Sequence, residues 1–125
     1  MNWIGVASLA LGFGVMLGAF GAHGLRGRLD AYSIGIYERA VFYHFVHALG
    51  LLVVAVLPRL GVVSASAASW VCLLLLAGIV IFCGSLYLLA ITGVRVIGAI
   101  TPIGGLAFIA GWLLLAWAVL ARPEV

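Results

Sequence analysis

Charged residues are scarce in this chain and gathered into a few places, and their spacing limits what it can fold into. Arg26, Arg28, Asp30, Glu38, Arg39, Arg59, Arg95, Arg122 and Glu124 are the full set, so residues 1–25, 40–58, 60–94 and 96–121 carry none. An α-helix crosses a hydrocarbon core of ~30 Å with about 20 residues, at 1.5 Å of rise each. Each uncharged stretch is long enough for one crossing. Composition agrees, because 67% of the residues are apolar and 7% charged, whereas a soluble domain takes about a quarter of its residues from the charged set. A chain so poor in charge cannot cover itself for water, and lipid is the expected solvent. The fold class is all-α: an integral membrane bundle of four antiparallel transmembrane helices in one domain, residues 1–125.

The spans are expected over about residues 3–22, 36–57, 67–92 and 101–121. The first should close at Ala22-His23-Gly24, where a glycine can turn left-handed. The second should stop before Pro58, which has no N–H to give the helix ladder. The fourth opens most simply with Thr101 as N-cap and Pro102 in the first turn. The amino-terminal segment is expected to remain as a span. A cleaved signal peptide ending near Ala19-Phe20-Gly21 fits poorly, because a basic n-region is missing and the apolar run is too long. Arg26, Arg28, Arg39 and Arg95 fall on one side of the membrane against Arg59 and Arg122 on the other, which places both termini outside. A net charge of +3 without a basic run excludes nucleic acid as an expected partner. Cys72 and Cys83 lie eleven residues apart on one helix, or ~16 Å along its axis, too far to bridge.

Polar side chains inside the spans are the candidates for function, since each costs free energy in lipid unless it has a partner. On the second helix Tyr37, His44 and His47 share a stripe with Ala40 and Leu51, while Glu38 points away from both histidines. His44 and His47 could hold a metal or haem if His23 and another ligand joined them. Hydrogen bonding to neighbouring helices is the favoured reading, and neither cofactor nor metal is expected. Glu38 and Arg39 sit where the second helix enters the membrane, and Glu38 can pair with His23 or with an arginine of the first connection. Gly14 and Gly18 form a GxxxG pair, and with Gly21 and Gly111 they mark faces where helices can pack closely. Around Thr101, Pro102, Gly104 and Gly105 the chain makes either a plain capped helix start or a small polar site. Ser85 and Tyr87, along with Tyr43, could contribute to such a site. No catalytic residue set stands out.

Four spaced motifs then become specific together. Gly18-Ala-Phe-Gly-Ala-His-Gly-Leu25, Glu38-Arg-Ala-Val-Phe-Tyr-His-Phe-Val-His47, Gly84-Ser-Leu-Tyr87, and Thr101-Pro-Ile-Gly-Gly105 followed by Phe108 and Gly111-Trp112 resemble the domain of unknown function 423 family of small membrane proteins (YgdD- and YwdK-like). The resemblance covers nearly the whole chain in order. It implies a four-helix, multi-pass protein of the bacterial inner, or cytoplasmic, membrane. The positions that match are His23, Glu38, Tyr43, His47, Ser85, Tyr87, Thr101, Pro102, Gly104, Gly105 and Trp112, while at His44 relatives often carry glutamine. Both side chains donate and accept hydrogen bonds, so a bonding role survives that exchange better than metal ligation.

The resemblance brings no agreed activity. The leading expectation is a non-enzymatic structural or accessory protein that self-associates as a homo-oligomer or binds a larger membrane complex or lipids. One alternative is binding or transport of a small molecule, proton or lipid head group through a histidine-lined pocket. The other is a metal- or haem-binding redox subunit.

Overall fold

A computed structural model describes residues 1–123; Glu124, the last of the charges, lies outside the described residues. Four apolar helical spans follow one another: α1 (Trp3–Leu25), α2 (Ala31–Leu60), α3 (Ala65–Thr92) and α4 (Arg95–Leu120). Each is long and apolar enough to cross a membrane.

Local chemistry sets the boundaries. Asn2 caps α1 by accepting from the Gly5 N–H at 3.1 Å, and Ser64 caps α3 by accepting from the Ala67 N–H at 3.1 Å. α2 begins at Ala31 rather than near Ile36, because the Asp30 carboxylate accepts from the Ser33 N–H at 2.8 Å and starts the helix among polar residues. That bond also holds the Asp30 carboxyl below its ordinary range, since it stabilises the ionised form. α1 does not close at Gly24. It runs on as a wider π-helical turn over Gly21–Leu25, and the left-handed glycine comes later, at Gly27. α3 also contains a π-helical turn, Ile79–Cys83, between two α-helical halves. α4 opens with a 3₁₀ turn over Arg95–Ala99 before its regular part, Thr101–Leu120.

The expected capping of α4 by Thr101 is corrected. Ile100 occupies the cap position without a side-chain bond, because the Thr101 hydroxyl is instead hydrogen-bonded to Ser85 across the helix interface at 2.6 Å. The Pro102 ring sits in the first helical turn as expected.

α2 and α3 form the middle of the bundle, with α1 against α2 and α4 against α3, and α4 reaches α2 through the Phe108 and Trp112 side chains. Leu51, Val54, Val71, Cys72, Leu75 and Cys83 are fully enclosed between them. Both cysteines are thus core residues, and free. α1 and α4 turn most of their side chains outward, among them Leu9, Phe13, Ile109, Leu113 and Trp117, as lipid-facing helices do. Two long-range bonds tie the ends together: the Trp3 indole N–H donates to Ser69 Oγ at 3.2 Å, and Arg122 donates to the Gly61 carbonyl at 2.7 Å.

Candidate functional site: the polar and aromatic interior

The helix-two stripe lies buried, as its spacing predicts, with Tyr37, Ala40, His44, His47 and Leu51 all on the inner face. Its two histidines meet different neighbours. Three residues turn a helix by 300°, so His44 and His47 diverge by about 60° and look toward different helices.

His44 is a junction of three spans. Its Nε2 lies 2.7 Å from the Ala10 carbonyl of α1 and its Nδ1 lies 3.0 Å from the Tyr87 hydroxyl of α3. A carbonyl can only accept, so Nε2 carries the hydrogen. In the neutral ring Nδ1 then accepts from Tyr87. Two turns earlier on α2, Tyr37 packs edge-on against Tyr87 with ring centres 5.1 Å apart and donates its hydroxyl hydrogen to the Leu17 carbonyl of α1. The glycine face of α1 permits this approach. A Cβ on Gly21 would land inside the Tyr37 ring, and one on Gly14 would lie 3.2 Å from Phe45. Gly18 is looser, with Val41 at 3.6 Å. The small-residue face of α1 therefore serves α2 of the same chain.

His47 faces α4. Its ring stacks on Phe108 with centres 3.6 Å apart and planes 17° from parallel, and Tyr43, Phe82 and Trp112 complete an aromatic cluster. Its Nδ1 donates to the carbonyl of Tyr43 one turn back, at 2.9 Å. By the same donor–acceptor logic, His47 holds the opposite tautomer from His44. Glycines again set the spacing. A Cβ on Gly104 would collide with the Phe82 backbone inside the π-helical turn of α3, and one on Gly78 with the Phe108 ring. Gly111 fits against Leu74 and Leu75, with Leu75 at 3.1 Å, and Gly50 receives the Trp112 ring, whose edge would lie 2.7 Å from an added Cβ. Gly105 touches only the outer edge of the Phe82 ring.

Ser85 completes the α3–α4 contact, bonded to Thr101 and donating to the Phe82 carbonyl at 2.9 Å. The sequence left open whether this corner is a plain cap or a polar site. It is a side-chain bridge between helices.

The remaining sequence candidates do not converge on this interior. His23 and Arg39 are exposed at the membrane-entry end of the bundle. Glu38 pairs with Arg26 at 3.6 Å, both side chains more than 60% exposed, so its partner is the connection arginine rather than His23. The three histidines are not brought together. Among the described residues no cluster of three or more His, Cys, Asp or Glu could hold a metal ion. Sequence reasoning passed over Phe82, Phe108, Gly50 and Gly78. Phe108 was visible only as part of a motif, and the glycines gave no signal because their aromatic partners lie on other helices.

Between α1 and α3 runs an apolar groove of about 380 Å³, lined by Leu9, Phe13, Leu76 and Val80 and floored by His44 and Tyr87. Both floor residues have committed their polar atoms to each other and to Ala10, so the groove offers a hydrocarbon surface.

A family described as "Protein of unknown function (DUF423)" matches residues 17–105. A UPF0382 membrane protein of Staphylococcus haemolyticus is 51% identical over 98 residues, covering 78% of this chain and 78% of the relative. Another, of Staphylococcus epidermidis, is 52% identical over 103 residues, 82% of each chain. The UPF0382 membrane protein YwdK of Bacillus subtilis is 48% identical over 111 residues, 87% of this chain and 85% of the relative. No solved structure matches.

Proposed function

The chain belongs to the DUF423 family, and from that premise we propose that it is a non-enzymatic accessory protein of the bacterial cytoplasmic membrane, a stiff bundle that associates with other membrane components. The observation that carries this reading is the fate of most of its interior polar groups, the Nε2 of His47 excepted. His44, Tyr37, Tyr87, Ser85 and Thr101 are spent on bonds between helices. Hydrogen bonds of this kind fix helix positions in lipid. A transport pathway needs unspent polar groups lining a route, and a catalyst needs a nucleophile or base with a free valence. The extramembrane segments are short turns, so the surface available for association is the lipid-facing one, with the α1–α3 groove shaped for apolar chains.

Photo-crosslinking from lipid-facing positions in native membranes tests the proposal. The expected result is discrete protein adducts, together with liposome permeability to protons and small solutes no greater than that of protein-free vesicles. Solute flux abolished by His44→Ala would overturn it in favour of transport.

A further inference from the structure

We propose that two copies of this chain pair through the outer seam of α2 and α4, each copy's Trp112 donating a hydrogen bond to the other's His47. The inference rests on the association reading above and assigns it a surface and a partner.

His47 is 93% enclosed, and its Nδ1 hydrogen is committed to the Tyr43 carbonyl. Its Nε2 therefore presents a lone pair, for which the described residues provide no hydrogen-bond partner. Among the described residues no enclosed side-chain nitrogen or oxygen lacks a partner. It follows that Nε2 is not sealed inside but reaches the surface of the bundle. His47 stands near the middle of α2, roughly at the centre of the membrane, where neither water nor lipid head groups can donate to it.

Beside it, Trp112 of α4 is 38% exposed and its indole N–H likewise has no partner among the described residues. Its ring edge lies over Gly50 and its plane is tilted 50° from the imidazole, and no hydrogen bond joins the two within the chain. An acceptor and a donor thus stand side by side, ring centres 5.9 Å apart, at one depth in the membrane.

That arrangement is self-complementary. A two-fold axis along the membrane normal preserves depth, so it brings the Trp112 of one copy to the His47 of the other and satisfies both pairs at once. A lipid chain would satisfy neither group. The surrounding surface suits close contact, since Val46, Val53, Ile109 and Ala116 are exposed and apolar, and none is larger than isoleucine. The α1 face lacks this pattern, because His44 behind it has no unspent nitrogen.

The test is oxidative crosslinking of one introduced cysteine at a time in native membranes, with the enclosed Cys72 and Cys83 kept and the parent chain as the control, joined to a dilution series in lipid vesicles read by energy transfer between labelled copies. Cysteine at Val46, Ile109 or Ala116 should give a disulfide-linked dimer, and cysteine at Leu9 or Phe13 on α1 should not. His47→Leu and Trp112→Phe should each weaken the dimer by about sevenfold, the effect of two average interhelical hydrogen bonds in a membrane. Because either substitution removes both bonds, the double variant should be no weaker than the singles. His47→Gln, which keeps an acceptor, should recover much of the loss. A chain that stays monomeric at every dilution, dimers that link through the α1 cysteines, or an association constant indifferent to His47→Leu and Trp112→Phe would overturn the proposal. Seam cysteines that capture a different protein but never a second copy would also overturn it, while leaving the accessory reading standing. The cysteine arm keeps the test decisive if His47→Leu does not fold.

Discussion

The two sides of α2 are joined to their neighbours by different means. Toward α1 and α3 the joints are directional: His44 takes the Ala10 carbonyl and the Tyr87 hydroxyl, and Tyr37 takes the Leu17 carbonyl. Toward α4 the joints are steric, with Trp112 set into the Gly50 notch and His47 held by stacking on Phe108. In lipid there is little hydrophobic drive to bring helices together, so packing and hydrogen bonds must do it. The α1 side combines hydrogen bonds with glycine notches at Gly14 and Gly21, whereas the α4 side relies on a notch and stacking. Two histidines one turn apart, a pair that sequence alone could read as a chelating site, are in fact parts of two unlike joints.

The comparison predicts where substitution costs most. Gly104→Ala should be the most damaging, because the new Cβ meets backbone that cannot step aside. A loss of about 3 kcal/mol is expected, the upper end for overpacking, measured by unfolding in mixed micelles. Gly18→Ala on the α1 side should be close to neutral, since its neighbours stand at ordinary contact distance. Equal effects would show that the α3–α4 contact at Gly104 is no tighter than the α1–α2 contact at Gly18.

Next comes His44→Leu, which strands the Tyr87 hydroxyl and should cost about 2 kcal/mol. His44→Gln should cost less than half of that, because glutamine can donate to Ala10 and accept from Tyr87. His47→Leu in the isolated protomer should cost about 1 kcal/mol, chiefly lost ring stacking.

A pH effect follows from the end of α2. The Asp30 carboxyl is lowered below 3.8 by the Ser33 N–H, so its contribution is complete above the unfolded value and disappears as pH falls through the folded one. Hydrogen exchange of the first turn of α2 should therefore quicken below about pH 4, and Asp30→Asn should remove that dependence. The smallest effect belongs to the Arg26–Glu38 pair. Both groups are solvated, so Glu38→Gln should change stability by less than about 0.5 kcal/mol.

Much of this architecture is legible in the sequence. Charge spacing gives four spans, and 100° per residue puts Tyr37, His44 and His47 on one buried stripe and Glu38 off it. What the stripe cannot tell is which helix each residue meets, because that depends on the rotation of α1, α3 and α4. The same ignorance hides the pairing of Gly104 with Phe82 and of Gly50 with Trp112. Thr101 looked like a cap because the local pattern is a good one, and a tertiary hydrogen bond to Ser85 overrode it. The π-helical turns at Gly21–Leu25 and Ile79–Cys83 left no recognisable local signal. The early start of α2 does have one, in Asp30, an N-cap residue type three positions before Ser33.

Nitrogen NMR of imidazole-labelled protein in lipid nanodiscs gives the most direct test that backbone carbonyls lock the two membrane histidines into different joints. His44 should appear as the Nε2–H form with both nitrogens hydrogen-bonded, and His47 as the Nδ1–H form, each unmoved by added zinc. Finding one tautomer at both sites, or a shared shift when zinc is added, would contradict the account.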